Sequence, residues 1–386
     1  MTAALAAMGA LGPLSTDMYL PSLPEIGRHL QASQAHVQLT LSSFFVGFAM
    51  GQVAYGPLAD KHGRKPILAL GFAIFIAACL ACALAPTIGT LIAGRFAQGA
   101  GAAGPVILAR AIVRDLYEGA RAGREMSRIG SMTGLMPAVA PAIGGVLQVA
   151  FGWHASFIAS AAGGALIFAA LALLLPETIR ERRPEGLSPA SILASFRVVA
   201  ASAHFRFYAV MAALVYAGIF AFISASSFVL QGHYGLGEVA YGFTFGTVAA
   251  GFVSGNLIGT RLNKRFGQDR AIFAGACCVA VGGIVQAALA TAYPYSVVAL
   301  MAPMLVYTCG LGLVMPQAMA SSMAPFPERA GAAASLAGVI QVGAGAIVGI
   351  ALSLVVPDHP LALPLTTAAL GAATLALYGA RWARRR

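Results

Sequence analysis

Charge is what this chain has least of. Asp and Glu number 13 in 386 residues, and residues of either charge make up only 10% of the whole. Soluble globular proteins average roughly 25% charged, so a water-soluble domain is excluded. Cysteine is also scarce. Cys79, Cys82, Cys277, Cys278 and Cys309 all fall in apolar stretches, where they read as small buried hydrophobes and not as a disulfide framework. The histidines lie in loops or at the ends of apolar runs, without metal-ligand spacing. No glycine-rich phosphate loop with its lysine is found, which argues against an ATP-driven pump. Neither an in-membrane His/Asp/Ser cluster nor a long polar domain is present, which argues against an intramembrane enzyme or a sensor. No cofactor and no metal are expected.

What is there is hydrophobic length. Apolar residues make up 59% of the chain, and a membrane-crossing helix needs about 20 of them in succession. The charge-poor runs predict an all-α membrane protein with twelve spans, near 2–24, 37–58, 66–86, 88–114, 125–150, 155–175, 205–230, 238–261, 270–292, 295–320, 329–355 and 361–381. The first run is too long, and too lacking in a basic start, for a cleaved signal peptide.

The net charge of +11 would suit a nucleic-acid binder, but its distribution argues otherwise. Placing the N-terminus inside puts Lys61, Arg64, Lys65, the cluster from Arg110 to Arg128, and the residues from Arg180 to Arg206 on one side. Arg261 to Arg270, Arg329 and Arg381 to Arg386 join them, while the other side receives only Arg28. That asymmetry is the positive-inside rule. It predicts the inner membrane of a bacterium with both termini cytoplasmic, the lipid bilayer as partner and no nucleic acid.

The longest polar stretch, Pro176 to His204, carries Pro184, Gly186 and Pro189 as breakers and divides the spans six and six. The halves resemble each other at an offset of 204 residues. Gly47, Gly51, Leu58 and Gly63 recur as Gly251, Gly255, Leu262 and Gly267, and Gly134 and Gly145 recur as Gly338 and Gly349. The expected organisation is an N-terminal half over 1–178, a cytoplasmic linker over 179–204 and a C-terminal half over 205–386. Pseudo-symmetric six-helix repeats of this kind build transporters with a midplane cavity.

Of the thirteen acids, Asp17 alone falls well inside an apolar run, the other twelve reading as loop or helix-end residues. An ionisable group in hydrocarbon is costly and marks a functional site by default. Asp17 precedes Glu25 by eight residues, which places it about 12 Å below that outer charge. Arg95 follows Thr87 by eight residues and reaches a similar depth in span four. Two opposite charges at one level can pair. Desolvation favours the protonated carboxyl and a nearby guanidinium favours the ionised one, so a changing Arg95 distance would let Asp17 carry a proton. A static ion pair serving assembly is the plainer alternative.

Five motifs carry a resemblance. Between spans two and three runs Gly56-Pro57-Leu58-Ala59-Asp60-Lys61-His62-Gly63-Arg64-Lys65-Pro66, similar to the loop signature of the major facilitator superfamily. Asp17-Met18-Tyr19-Leu20-Pro21 resembles the first-helix signature of its bicyclomycin and chloramphenicol exporters, the Bcr/CflA branch of the twelve-span drug:proton antiporters. Arg95-Phe96-Ala97-Gln98-Gly99 is similar to that branch's span-four motif. Pro137-Ala138-Val139-Ala140-Pro141-Ala142-Ile143-Gly144-Gly145 resembles the span-five motif of antiporters, and Leu175-Pro176-Glu177-Thr178 ends span six as in these relatives. The departures are Ala140 where the general antiporter form has Gly, and a degraded second loop motif, Leu262-Asn263-Lys264-Arg265-Phe266-Gly267.

The resemblance implies the major facilitator fold and export of a small drug-like molecule against protons. It implies a conformational latch of Gly56, Asp60, Gly63, Arg64 and Asp115, in which Gly56 and Gly63 permit close approach and a tight turn while Arg64 pairs with Asp115. Pro137, Pro141, Gly144 and Gly145 would let span five bend and pack closely, sealing against a proton leak; ordinary helix packing is the alternative. Candidates for the substrate cavity are Tyr19, Phe45, Phe48, Gln52, Gln98, Tyr216, Phe220, Asn256, Tyr307 and Gln341, since apolar pockets with a few polar groups suit amphiphilic molecules. With one carboxylate, the cavity should prefer neutral or weakly charged compounds. A monomer is expected. The competing reading is an importer, or a metabolite exporter, on the same fold.

Overall fold

The structure, a computed structural model, describes residues 2–179, 189–355 and 359–383. The linker breakers Pro184 and Gly186, and the basic residues Arg180, Arg182, Arg183 and Arg384 to Arg386, lie outside them. Among the described residues the regular structure is helical throughout. Contacts divide the chain into two compact units, Met1–Pro189 with Glu238–Phe243, and Ala190–Gly237 with Thr244–Arg386.

The first unit holds α1 (Thr2–Asp17), α2 (Leu23–His29), α3 (Gln34–His62), α4 (Arg64–Ala83), α5 (Ile88–Leu116), α6 (Gly119–Phe151) and α7 (His154–Leu174). The remaining helices are α8 (Pro189–Ala201), α9 (Ala203–Ser227), α10 (Glu238–Phe266), α11 (Gln268–Ala292), α12 (Val297–Met323), α13 (Ala330–Val355) and α14 (Ala362–Ala383). Ten of them are long and apolar enough to cross a membrane on their own.

The two other expected spans depart for physical reasons. The run over 2–24 is not one helix. It stops at Asp17, passes through a 3-10 turn at Leu20–Ser22 and resumes as α2. Pro21 and Pro24 have no N–H to give, so the helical ladder lapses around them. Span eight is the intact 29-residue α10, but Glu238, Arg261, Lys264, Arg265 and its many glycines dilute its hydropathy. Several helices also outrun their apolar stretch. α3 reaches His62 and α6 spans 33 residues, because backbone hydrogen bonding continues past the hydrophobic run until a glycine ends it.

Capping fixes the helix starts. Ser33, Thr87, Ser202 and Ser296 each accept a backbone N–H from three residues on, satisfying donors that a helix leaves free. Thr87 and Thr90 bond reciprocally as a capping box.

The repeated glycines act alike in each unit. A Cβ on Gly51 would lie 2.6 Å from the Ala103 Cβ, and one on Gly47 would collide with the Phe96 carbonyl oxygen. At the offset of 204, a Cβ on Gly251 would sit 2.8 Å from the Leu305 oxygen and one on Gly255 would collide with the Cys309 oxygen. These residues let α3 lie against α5, and α10 against α12, with backbones nearly touching.

Candidate transport and gating sites

The break after α1 places Asp17 at a helix end within the protein, 6% exposed. Its Oδ1 accepts from the Thr16 hydroxyl at 2.9 Å. The side chains of Ser15 and Thr16 bond back to the carbonyls of Leu11 and Pro13 at 2.7 and 3.1 Å. The carboxylate thus lies where regular backbone bonding ends.

Arg95 is fully buried on α5. Nη1 donates to the Ser15 carbonyl at 3.0 Å and to Gln98 Oε1 at 2.6 Å, and Nε donates to the Thr40 carbonyl at 3.4 Å. Its guanidinium carbon stands 4.2 Å from the Tyr19 ring centroid and 4.5 Å from that of Phe44, distances at which a cation is attracted by the ring face. Tyr19 and Thr40 join their hydroxyls at 2.9 Å, and Gln98 donates to Cys79 Sγ at 3.1 Å. The direct pairing with Asp17 expected from equal depth is not made. Among the described residues the ion pairs lie elsewhere, and Arg95 holds the turn that carries Asp17 through its backbone. Nor is Asp17 alone as a buried acid. Glu125, expected at a helix end, is 6% exposed within α6 and accepts from Arg128 at 2.8 Å.

The loop between α3 and α4 gathers a second cluster. Arg64 bridges Asp60 at 2.6 Å and Asp115 at 2.9 Å, and the Thr178 hydroxyl donates to the same Asp115 oxygen at 3.2 Å. Gly63 links the two helices with φ 104° and ψ 153°, a region open essentially to glycine. A Cβ there would stand 2.6 Å from Glu177 Oε2.

That neighbour was not assigned a role from the sequence. Glu177 accepts the backbone N–H groups of Arg64 at 2.9 Å and Lys65 at 3.2 Å, capping α4, and those of Thr178 and Ile179 as well. Partial burial works against its charge, but these four N–H groups outweigh it and hold the Glu177 carboxyl below its usual range. The signal available beforehand was a carboxylate ending span six and a helix start at Arg64, complementary through the helix dipole. Gly56 corrects the expectation of a close approach, since a Cβ there would meet nothing within 4 Å.

On α6, Pro137 and Pro141 stand inside an unbroken helix. Gly144 is tightly placed, for a Cβ would collide with the Met18 carbonyl oxygen. Ser156 of α7 donates to that oxygen at 3.3 Å, so two helices converge on the residue after Asp17. Gly145 is buried beside Gly144. Thr133 Oγ1 has the Gly9 carbonyl at 3.0 Å and the Ile129 carbonyl at 2.9 Å, a further tie between α6 and α1.

The cavity candidates divide equally between the units and play different parts. Tyr19 and Gln98 surround Arg95, while Phe45 and Phe48 pack half-buried on the core of the first unit and Gln52 is half-buried. In the second unit Tyr307 is fully buried and donates to the Val215 carbonyl at 3.3 Å. Phe220, also fully buried, lies against Gly345 and Gly349. Tyr216 is half-buried, Gln341 is buried with its amide 3.9 Å from Met315 Sδ, and Asn256 is exposed. Gln38 was not anticipated. It is 2% exposed, and neither end of its amide meets a protein partner. A buried amide of this kind calls for water or ligand.

Two helical units with buried charge inside apolar helices define a polytopic membrane transporter. The major facilitator superfamily model matches residues 5–350, and the chain belongs to that family. It is 33% identical over 388 residues to the uncharacterised MFS-type transporter YdgK of Bacillus subtilis (strain 168), covering 97% of this chain and 94% of that one. It is 32% identical over 350 residues to the bicyclomycin resistance protein homolog of Haemophilus influenzae, covering 89% and 86%. It is 29% identical over 326 residues to the chloramphenicol resistance protein of Pseudomonas aeruginosa, covering 83% and 76%. A POT family transporter crystallised with 5-aminolevulinic acid superposes with a TM-score of 0.80 at 13% identity, over 99% of this chain and 95% of that one, which speaks for the fold alone.

Proposed function

We propose that this protein is a proton-coupled antiporter that exports small, amphiphilic, drug-like compounds across the bacterial inner membrane by alternating access. The observation that carries this reading is Asp17, a buried carboxylate at a helix break, held by a neighbouring hydroxyl and free of a direct arginine partner. Such a group can take up and lose a proton without dismantling an ion pair. Relatives that bear the names of bicyclomycin and chloramphenicol resistance support a drug as the transported molecule.

In this reading Asp17 carries the proton and Arg95 positions its turn. Arg64, with Asp60, Asp115 and the Gly63 turn, forms the latch that breaks and reforms between states. Pro137, Pro141, Gly144 and Gly145 shape α6 against a proton leak. Substrate contacts are assigned to Phe45, Phe48, Gln52, Tyr216, Asn256 and Gln341, with Gln38 added as an unpaired amide. Both termini and the arginine-rich loops face the cytoplasm, the halves correspond to 1–178 and 205–386 joined by a linker, and the protein works as a monomer. The energy source is the proton gradient, worth about 2.3 kcal/mol per charge per 100 mV plus the pH contribution.

The test uses inside-out vesicles with an acid interior and a pH-sensitive dye. Chloramphenicol-type and bicyclomycin-type compounds should collapse the gradient with wild type and leave it intact with Asp17→Asn. A mutant that still dissipates the gradient overturns the role of Asp17. Efficient export of a dication overturns the preference for neutral or weakly charged substrates.

A further inference from the structure

The two units carry the same turn and treat it oppositely. In the first, Gly63 starts α4, and the carboxylate of Glu177 caps the backbone of Arg64 and Lys65. In the second, Gly267 starts α11 with a closely similar backbone, φ 85° and ψ 165° against φ 104° and ψ 153°. Where the first unit brings a carboxylate to that turn from beyond α7, the second brings Arg381 from the last turn of α14.

Arg381 lies with the start of α11 in a cleft of about 1180 Å³, to which Arg265 and Arg270 also contribute. Among the described residues three arginines and one carboxylate line it, the carboxylate being Asp269, whose Oδ1 accepts from the Tyr208 hydroxyl at 3.5 Å. Arg381 is not spent on an ion pair among the described residues. Its guanidinium stands over Phe207 at 4.1 Å and Tyr208 at 4.6 Å. The Tyr378 hydroxyl donates to the Asp269 carbonyl at 3.0 Å, fixing α14 to the first turn of α11.

We propose that this cleft binds a phosphate group, which takes the place that the Glu177 carboxylate holds in the first unit. Guanidinium groups match phosphate oxygens in paired hydrogen bonds, and the start of a long helix adds backbone donors and a favourable dipole. An anionic phospholipid headgroup is one source of that phosphate, and a soluble phosphate compound is the other. The lipid is within reach because Phe273, 48% exposed on α11, and Phe266, 44% exposed, border the cleft with apolar surface suited to the interface. Basic clefts at the cytoplasmic ends of helices are where anionic headgroups bind. The proposal rests on the membrane orientation argued above but on no assumption about substrate or proton coupling.

The experiment uses the purified full chain, with native mass spectrometry in the presence of dioleoyl phosphatidylglycerol or dioleoyl phosphatidylcholine, and thermal melting in nanodiscs of each lipid. Wild type should retain one phosphatidylglycerol about tenfold better than phosphatidylcholine, and melt several degrees higher in the anionic bilayer. Arg381→Glu, which supplies the second unit with its own carboxylate, should lose both effects while melting as wild type does in phosphatidylcholine. Arg270→Gln serves as the second variant should Arg381→Glu fold poorly, and should weaken retention severalfold.

A parallel titration with inorganic phosphate separates the sources. Stabilisation by millimolar phosphate that needs Arg381, without lipid preference, assigns the site to a soluble phosphate compound. Retention of phosphatidylglycerol that is the same in wild type and both variants overturns the proposal, as does no response to either probe. None of these readouts involves transport, so failure of drug export would leave them unchanged.

Discussion

Arg95 Nη1 donates to the carbonyl oxygen of Ser15 at 3.0 Å, two residues short of Asp17. The guanidinium therefore orders the end of α1 and leaves the carboxylate to the Thr16 hydroxyl. Protonation of Asp17 then need not break an ion pair, which suits the proton-carrying role proposed for it.

Arg95→Lys should test whether the fork is needed. A single ammonium cannot reach the Ser15 and Thr40 carbonyls and Gln98 together while stacked between Tyr19 and Phe44. Leaving such buried acceptors unmade costs about 1–3 kcal/mol each. Drug-dependent proton flux should fall at least tenfold, with a lower melting temperature in detergent. Full flux in the lysine variant would show that charge alone suffices.

Gly63 and Gly56 belong to one motif and should behave oppositely. Gly63→Ala forces a side chain into a glycine-only backbone region, at about 1–3 kcal/mol, and presses it against Glu177 Oε2. Gly56→Ala meets no atom within 4 Å, and inside a helix it should be neutral or stabilising by about 0.5–1 kcal/mol. Melting curves and drug-dependent proton flux distinguish them. Equal tolerance at both positions would refute the argument.

Gly144→Ala should disturb the Asp17 turn from the other side, since its Cβ would collide with the Met18 carbonyl oxygen. Flux should drop more than tenfold with smaller changes in expression. Gly134→Ala, on the same helix and with nothing within 4 Å, is the control and should transport normally.

Acid should weaken the α4 cap. Glu177 has its carboxyl held below the ordinary value of 4.5 by four backbone N–H groups acting against partial burial. Its contribution to stability is therefore complete above that value and is lost as pH falls through the lower folded value. The melting temperature of wild type should decline more steeply below about pH 4.5 than that of Glu177→Gln, which has no such charge to lose. Parallel curves for the two would remove Glu177 from the cap.

Much of this was legible in one dimension. Long apolar runs and one-sided arginines require only local sums of hydropathy and charge, so the helical class, most span positions and the apolar setting of Asp17 follow from reading along the chain. The offset repeat of Gly47, Gly51 and Gly63 likewise needs no coordinates. Partnerships across long separations do. Arg95 and Ser15 are 80 residues apart and Glu177 and Arg64 are 113 apart, and equal depth in the membrane allowed an Asp17–Arg95 pair where Arg95 instead bonds the Ser15 backbone. Tyr307 and Phe220 looked like cavity aromatics from composition, yet tight glycine contacts bury both. Only the folded chain decides which face of a helix a residue presents, because that depends on where neighbouring backbones can approach. For the same reason Glu177 and Arg381 acquire meaning only beside the turns at Gly63 and Gly267.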